Sequence, residues 1–107
     1  MGFPSPAQDY VESRIDLNTL FIPRPSATSL FDFDGIMHLI DASERPRDGD
    51  VLAYELFGEV GIGKLMGRAI VTRDGDAIEG GALDDVIILG RVTLMIQKLW
   101  DDDRPII

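Results

Sequence analysis

Few side chains in this sequence could do covalent or metal chemistry. The chain has no cysteine, so disulfides and thiolate metal sites are excluded. His38, the only histidine, lies in an apolar strand pattern that favours a structural role over a catalytic base or a metal ligand. Asp32-x-Asp34-Gly35 resembles part of a calcium loop but lacks the remaining ligands, so it is more typical of a turn. Gly61-x-Gly63 has neither the spacing nor the following helix of a dinucleotide loop. We therefore predict no metal site and no cofactor.

The charge and length of the chain limit what it can bind. A net charge of −9 repels phosphates at long range, so no direct nucleic-acid binding is expected. The acidity either serves solubility alone or steers the protein toward basic protein surfaces. The 107 residues suffice for one domain with a modest core. No apolar run has the length of a membrane span and no signal-peptide pattern is visible. We therefore expect a cytoplasmic protein without membrane contact.

The order of turn signals and apolar runs predicts the elements that must position any site. Residues 1–8 are rich in Pro, Gly and Ser and predict an extended arm, and residues 9–107 predict a single domain. Ser5-Pro6-Ala7-Gln8 is typical of a helix start and predicts a short helix near 6–13. A tight hairpin is predicted at Phe57-Gly58. The predicted strands are Thr28–Phe33, Met37–Ile40, Val51–Leu56, Val60–Leu65, Ala69–Thr72, Val86–Leu89 and Val92–Leu99. Several short strands with little helix indicate a twisted, mostly antiparallel sheet.

One segment also suggests a family. GFPSPAQDYVESRIDLN, residues 2–18, resembles the start of the self-processed form of the UmuD family, the LexA-like serine autoproteases of the bacterial SOS response. Only Met1 precedes Gly2, so the resemblance implies a chain that begins where the processed form begins. The likeness continues through Leu39–Ser43, Gly58–Val60 and DVIILGRVTLMIQK, residues 85–98, and is weak between Met66 and Gly81. It implies a mainly β, LexA/UmuD-like twisted antiparallel sheet domain with an extended N-terminal arm and a short helix.

The family cleaves with a serine–lysine dyad, and this chain departs from the pattern at both residues. A serine hydroxyl is a poor nucleophile until a neighbouring base takes its proton, and lysine is such a base only when burial lowers its pKa. The Gly-Asp-Ser-Met motif of the family is missing, and Ser26, Ser29 and Ser43 stand in other contexts. Alignment without a gap puts Gly63 at the lysine position and Lys64 one residue late, on the opposite face of a strand. A bulge near Gly61–Gly63 is the alternative that would turn Lys64 back.

We therefore expect a degenerate peptidase homologue without catalytic residues that acts by protein–protein contacts. The resemblance implies a homodimer that partners a UmuC-type Y-family DNA polymerase and the RecA filament in SOS-induced translesion synthesis, or that forms mixed dimers with intact UmuD. An apolar last strand at a sheet edge would favour pairing with a second copy. The alternative function is that of a Ser-Lys peptidase. The residues expected to make the contacts are Phe3, Tyr10, Val92, Leu94, Ile96 and Trp100, although a core role for Trp100 stays open.

Overall fold

The computed structural model describes residues 14–99. The predicted arm at 1–8 and the predicted helix near 6–13 lie outside the described residues, as does everything from Trp100 onward. The described part begins with a short helix, α1 (Leu17–Phe21), which sequence analysis did not predict. Asp16 caps this helix, because its carboxylate accepts hydrogen bonds from the Asn18 backbone N–H at 3.0 Å and the Thr19 hydroxyl at 2.9 Å. A 3-10 turn, Pro25–Ala27, leads into the first strand.

Seven strands within residues 14–99 form one antiparallel sheet. They are β1 (Thr28–Phe33), β2 (Ile36–Asp41), β3 (Val51–Leu56), β4 (Glu59–Met66), β5 (Ala69–Thr72), β6 (Ala77–Glu79) and β7 (Val86–Ile96). The order across the sheet is β1-β2-β7-β3-β4-β5-β6. A second 3-10 turn, Gly80–Asp85, connects β6 to β7. The prediction of a mainly β, antiparallel domain is thus confirmed. No helix in this part of the chain is long and apolar enough to cross a membrane.

The last strand lies inside the sheet, between β2 and β3, so the prediction of an apolar edge strand was wrong. Residues 86–91 pair with β3 and residues 91–96 pair with β2. β7 also continues through Gly90, where the sequence predicted a break between the strands Val86–Leu89 and Val92–Leu99. A side chain at Gly90 would not fit, because a Cβ there would lie 2.7 Å from both the Asp41 carbonyl oxygen and the Ile40 Cγ2. Glycine is therefore needed for the close approach of β2 and not for a turn.

Two hairpin turns have the geometry that their residues predict. Phe57 and Gly58 both have positive φ, at 51° and 83°, and Asp34 and Gly35 do so at 54° and 79°. Two successive positive φ values define the type I′ turn, whose twist matches that of paired strands. The backbone N–H of Gly35 also donates to the Asp32 carboxylate at 3.0 Å. The predicted hairpin at Phe57-Gly58 and the predicted turn at Asp32–Gly35 are both confirmed.

Each face of the sheet has its own hydrophobic cluster. One cluster contains Ile40, Ala53 and Ile62, and we call its side the inner face. The other contains Leu52, Tyr54 and Ile70, and we call its side the outer face. Arg73, which follows β5, contacts the β1–β2 turn at the other end of the sheet. Its Nη1 lies 3.2 Å from the Asp34 Oδ2, and its guanidinium carbon lies 5.2 Å from the centroid of the Phe33 ring. This contact shows that the sheet curls toward the inner face.

His38 is part of the interior of the inner face. Its side chain is fully buried, and its Nδ1 lies 2.8 Å from the Ile36 carbonyl oxygen, so Nδ1 carries the proton and donates it. The Phe33 ring stands edge-on to the imidazole, with 6.0 Å between the ring centroids. The Nε2 has no hydrogen-bond partner among the residues that the structure describes. Half of the hydrogen-bonding capacity of this histidine is therefore unused.

Candidate functional site

The pairing of β4 with β3 fixes the directions of Gly63 and Lys64. Gly63 lies opposite Leu52 and Lys64 lies opposite Val51, in a ladder that runs without a register shift along the hairpin. The bulge that would turn Lys64 back is therefore not present in this pair of strands. Because directly opposed residues share a face, Gly63 belongs to the outer face and Lys64 to the inner face.

The space above Gly63 is already filled. A Cβ at this position would lie 2.6 Å from the Ile70 Cγ2 and 2.9 Å from the Val71 carbonyl oxygen. Ile70 is only 1% exposed, so it cannot swing into solvent, and the Val71 carbonyl belongs to the backbone of β5. A Cβ at Gly61 would overlap the Tyr54 ring. The outer face of β4 is consequently packed by its neighbours and leaves no room for a side chain at residue 63.

Tyr54, which covers these glycines, is held in its neutral form. Burial raises the pKa of its hydroxyl above the ordinary value of 10.0, and the negative charges of Asp74 and Glu59 raise it further. The hydroxyl therefore keeps its proton near neutral pH. The Tyr54 ring packs over the glycines of β4, and its protonated hydroxyl is not a base.

Lys64 lies in a groove of 430 Å³ on the inner face. Its side chain is exposed, and its ammonium forms no ion pair or hydrogen bond with any residue between 14 and 99. No serine lines this groove among the described residues. The lining residues are Val51, Ile62, Gly63, Lys64, Met66, Val71, Thr72, Arg73 and Met95.

The serines that the structure describes lie elsewhere. Ser26 belongs to the 3-10 turn before β1, and Ser29 lies on β1, which three strands separate from β4 in the sheet. Ser43 follows β2 and lines a cavity of 520 Å³ together with Leu65. Leu65 is two residues from Gly63 and points, like it, to the face opposite Lys64. The structure therefore does not bring the hydroxyl of any described serine together with the Lys64 amine.

A buried carboxylate that sequence analysis missed organises the end of β2. Asp41 is 3% exposed, and its Oδ1 accepts a hydrogen bond from the Ser43 N–H at 2.8 Å. Its Oδ2 lies 3.2 Å from the Nε of Arg24. The hydrogen bonds from Ser43, and then the charge of Arg24, hold the pKa of this carboxyl below its ordinary value. Asp41 thus ties the segment before β1 to the loop after β2, which is a structural role.

Comparison with known proteins identifies the family. The chain is 32% identical to the protein ImpA of Escherichia coli and Salmonella typhimurium in an alignment 112 residues long that covers 91% of this chain and 77% of ImpA. It is 37% identical to the protein SamA of Salmonella typhimurium, over 95% of this chain and 82% of SamA. The chain belongs to the UmuD-like family of SOS mutagenesis proteins. No protein-family model matches it.

In this UmuD-like chain, three of the predicted interaction residues can be placed and three cannot. Phe3, Tyr10 and Trp100 lie outside the described residues. Simple alternation would put Val92, Leu94 and Ile96 on one face of β7, but a bulge intervenes. Ile40 pairs with Val92 while Leu39 pairs with Leu94, so Thr93 is the extra residue.

The bulge separates the three β7 residues. Val92 turns to the inner face, where it packs against the core cluster of Ile40. Leu94 is half-buried and Ile96 is 44% exposed, and both turn to the outer face. Val92 therefore contributes to the interior, whereas the other two remain available to a partner.

Leu94 and Ile96 belong to a group of apolar side chains on β1, β2 and β7 of the UmuD-like domain. Leu30 on β1, Leu39 on β2 and Leu94 on β7 are directly opposed in register and form one row on the outer face. Leu30 is 54% exposed, and Ile96 stands next to this row, opposite Met37. We call Leu30, Leu94 and Ile96 the outer patch. Leu39, between Leu30 and Leu94, is itself buried, and the exposed apolar side chains on this face are candidates for contact with a partner.

Proposed function

We propose that this UmuD-like protein is a non-catalytic accessory or regulatory protein of SOS-induced translesion DNA synthesis that acts through protein–protein contacts. The observation that supports it best is the packing of Ile70 onto Gly63, the position at which the family resemblance places the dyad lysine. Lys64 lies on the other face, in a groove without a serine among the described residues. General base assistance contributes about 10²- to 10⁴-fold to a rate, so a serine without such a base would have little useful turnover.

The alignment with ImpA also supports the loss of a segment. The alignment is 112 residues long, although it covers only 91% of this chain of 107 residues. ImpA must therefore contain residues that have no counterpart here. A missing segment that included the serine motif would account for this difference.

The proposed partners are those that the family resemblance implies. They are a second copy of the chain, a UmuC-type Y-family DNA polymerase and the RecA filament, with mixed dimers that include intact UmuD as a variant of the same activity. The outer patch supplies apolar surface for such contacts, and the charge of −9 favours basic partner surfaces in the cytoplasm.

Substitution of Ile96 by aspartate tests the outer patch. We expect Ile96→Asp to weaken co-purification with the UmuC-type polymerase, or to shift the sedimentation equilibrium from dimer to monomer, because it puts a charge into an apolar contact. Ile87→Asp is the matched control, since Ile87 lies on the same strand, is 58% exposed and faces the inner side. If the wild type gives neither a homodimer nor a polymerase complex at micromolar concentration, the proposal fails. Native mass spectrometry of a mixture with intact UmuD detects the mixed dimers.

A cleavage assay tests the absence of catalysis. The protein is incubated with activated RecA and with UmuD or LexA as substrate, and the products are separated by gel electrophoresis. We expect no cleavage above the rate without this protein. Cleavage that disappears in Lys64→Ala would overturn the proposal and favour the Ser-Lys peptidase.

A further inference from the structure

The two edges of the sheet differ in what they offer to a partner. β6 forms one edge and has only 3 residues, so it presents little backbone for pairing. β1 forms the other edge with 6 residues, and its ladder with β2 has no register shift. No strand among residues 14–99 pairs with the second side of β1. Natural sheets usually shield a long edge with lysine, proline or a bulge, and Thr28–Phe33 contains none of these.

Every second residue of β1 directs its backbone groups away from β2. The Ala42 N–H donates to the Ala27 carbonyl oxygen at 2.9 Å, just before the strand begins. Hydrogen-bonded pairs alternate with non-bonded pairs along an antiparallel ladder, so the odd-numbered residues of β1 bond to β2 and the even-numbered ones face the open edge. The Thr28 N–H is used by the preceding 3-10 turn. The backbone groups of Leu30 and Asp32 have no partner among residues 14–99.

The side chains of β1 favour a second copy of the chain at this edge. When two copies pair antiparallel about Leu30, the two Leu30 side chains stand side by side on the outer face, where each is 54% exposed in the single chain. Asp32 then stands opposite Thr28, so no two carboxylates are opposed in spite of the net charge of −9. The Gly35 N–H also holds the Asp32 carboxylate at the β1–β2 turn. Pairing about Asp32 would instead oppose two like charges, which disfavours that register.

We propose that β1 of this chain pairs antiparallel with β1 of a second copy, with the twofold axis at Leu30, so that the two sheets join into one. Each Leu30 exchanges both of its backbone hydrogen bonds with its counterpart, and the Asp32 N–H donates to the Thr28 carbonyl oxygen of the second copy. The row of Leu94, Leu39 and Leu30 continues across the axis into the same row of the second copy. This inference rests on the contact with a second copy in the proposed function, and it names the surface that makes this contact.

Two substitutions at Leu30 separate backbone pairing from side-chain packing. Leu30→Pro removes an N–H that the fold of the single chain does not use, and proline is tolerated at a strand edge. Leu30→Thr removes the same leucine side chain but keeps the N–H. We expect Leu30→Pro to raise the dimer dissociation constant at least about 10-fold above that of Leu30→Thr, because each copy loses a backbone hydrogen bond. Sedimentation equilibrium measures both constants, and circular dichroism checks that the variants fold.

Each result of this experiment supports or overturns the proposal. If Leu30→Pro dimerises as tightly as Leu30→Thr, the β1 edge is not the interface. If Ile96→Asp also dissociates the dimer in that case, the outer patch makes the contact, so the proposed function stands and this inference fails. A wild type that is monomeric at micromolar concentration overturns the inference and leaves the edge to an extended segment of another protein. Co-purification with the polymerase then tests the proposed function separately.

Disulfide trapping gives a second test that does not depend on proline, because the natural sequence has no cysteine. Directly opposed residues of a hydrogen-bonded pair have Cα atoms about 5.5 Å apart, which is within the reach of a disulfide. Under mild oxidation we expect Leu30→Cys to form a covalent dimer at least about 10-fold faster than Ile88→Cys. Ile88 is the matched control, since it is 45% exposed but lies on β7, inside the sheet. Equal rates in the two variants would show that Leu30 does not face its counterpart and would overturn the proposal.

Discussion

Replacement of Gly63 by alanine tests whether tertiary packing leaves no room for a side chain at the position where the family resemblance places the lysine. The new Cβ would meet the Ile70 Cγ2 at 2.6 Å and the Val71 carbonyl oxygen at 2.9 Å. Both separations are far below the 3.5–4.0 Å or so at which non-bonded carbon atoms attract. Gly63 does not have positive φ, so a destabilising effect would report the contact and not a strained backbone.

The expected loss of stability in Gly63→Ala is the difference between two opposing effects. Overpacking of a well-packed site costs about 1–3 kcal/mol. The lower conformational entropy of alanine in the unfolded chain returns about 0.4–1 kcal/mol. Because Ile70 is buried and the Val71 carbonyl is fixed in β5, we expect a net loss of about 1–2 kcal/mol. For a domain of this size, that loss lowers the melting temperature by about 5–10 °C.

Urea unfolding followed by far-ultraviolet circular dichroism measures this loss. Gly81→Ala is the control, because no atom lies within 4 Å of a Cβ built at that position and its φ is not positive. We expect Gly81→Ala to change stability by less than about 0.5 kcal/mol or to raise it slightly. In a double-mutant cycle, Ile70→Ala should relieve part of the cost of Gly63→Ala. If Gly63→Ala is as stable as Gly81→Ala, the position is not closed and the argument from packing is refuted. Gly63→Lys should be less stable still and should not restore cleavage.

Three further predictions concern single side chains. The folded pKa of Asp41 is lowered, so its stabilising effect is present above the ordinary carboxyl pKa of 3.8 and is lost as the pH falls through the folded value. Asp41→Asn should therefore lower the urea midpoint at pH 7, and the midpoint of this variant should fall less in acid than that of the wild type. Asp34→Asn, at an exposed turn, is the control and should show neither effect. The folded pKa of Tyr54 is raised, so its contribution is complete below the ordinary value of 10.0 and is lost as the pH rises through the folded value. In an ultraviolet titration of the wild type, one of the two tyrosines should then ionise above the ordinary pKa, and this transition should be absent in Tyr54→Phe. Two transitions at the ordinary pKa in the wild type would contradict this. Gly58→Ala should cost about 1 kcal/mol by urea unfolding, because Gly58 has a φ of 83°; a cost no larger than that of Gly81→Ala would show that the turn tolerates a side chain.

Local sequence patterns were sufficient to predict most of the strands and the hairpin turns. The predicted Thr28–Phe33, Val51–Leu56 and Ala69–Thr72 have the bounds that the structure shows. Alternation and turn residues are local signals, so the sequence contains them directly. β6 has only three residues and α1 only five, and such short elements give too little periodic signal to predict. The Asp16 cap was the one local sign of α1.

The missed features of the last strand and of the candidate site depend on distant contacts. Gly90 was predicted to lie in a break between two strands, but it belongs to one continuous strand, in which the close approach of Ile40 and Asp41 requires a glycine. The bulge at Thr93 that separates Val92 from Leu94 arises in the pairing with β2, more than fifty positions earlier in the chain. A pattern within β7 cannot reveal either contact.

The sequence by itself determined the family resemblance and the absence of cysteine, and it led to the prediction that Gly63 stands where the resemblance places the family's lysine, because these follow from residue types and spacing. The alternation of side chains also determined that Gly63 and Lys64 point to opposite faces. Only the tertiary structure decided that Ile70 fills the space above Gly63, that Lys64 borders an apolar groove and that β7 lies between β2 and β3. Each of these depends on which strands become neighbours, and the strand order of a sheet places residues together that lie far apart in the chain.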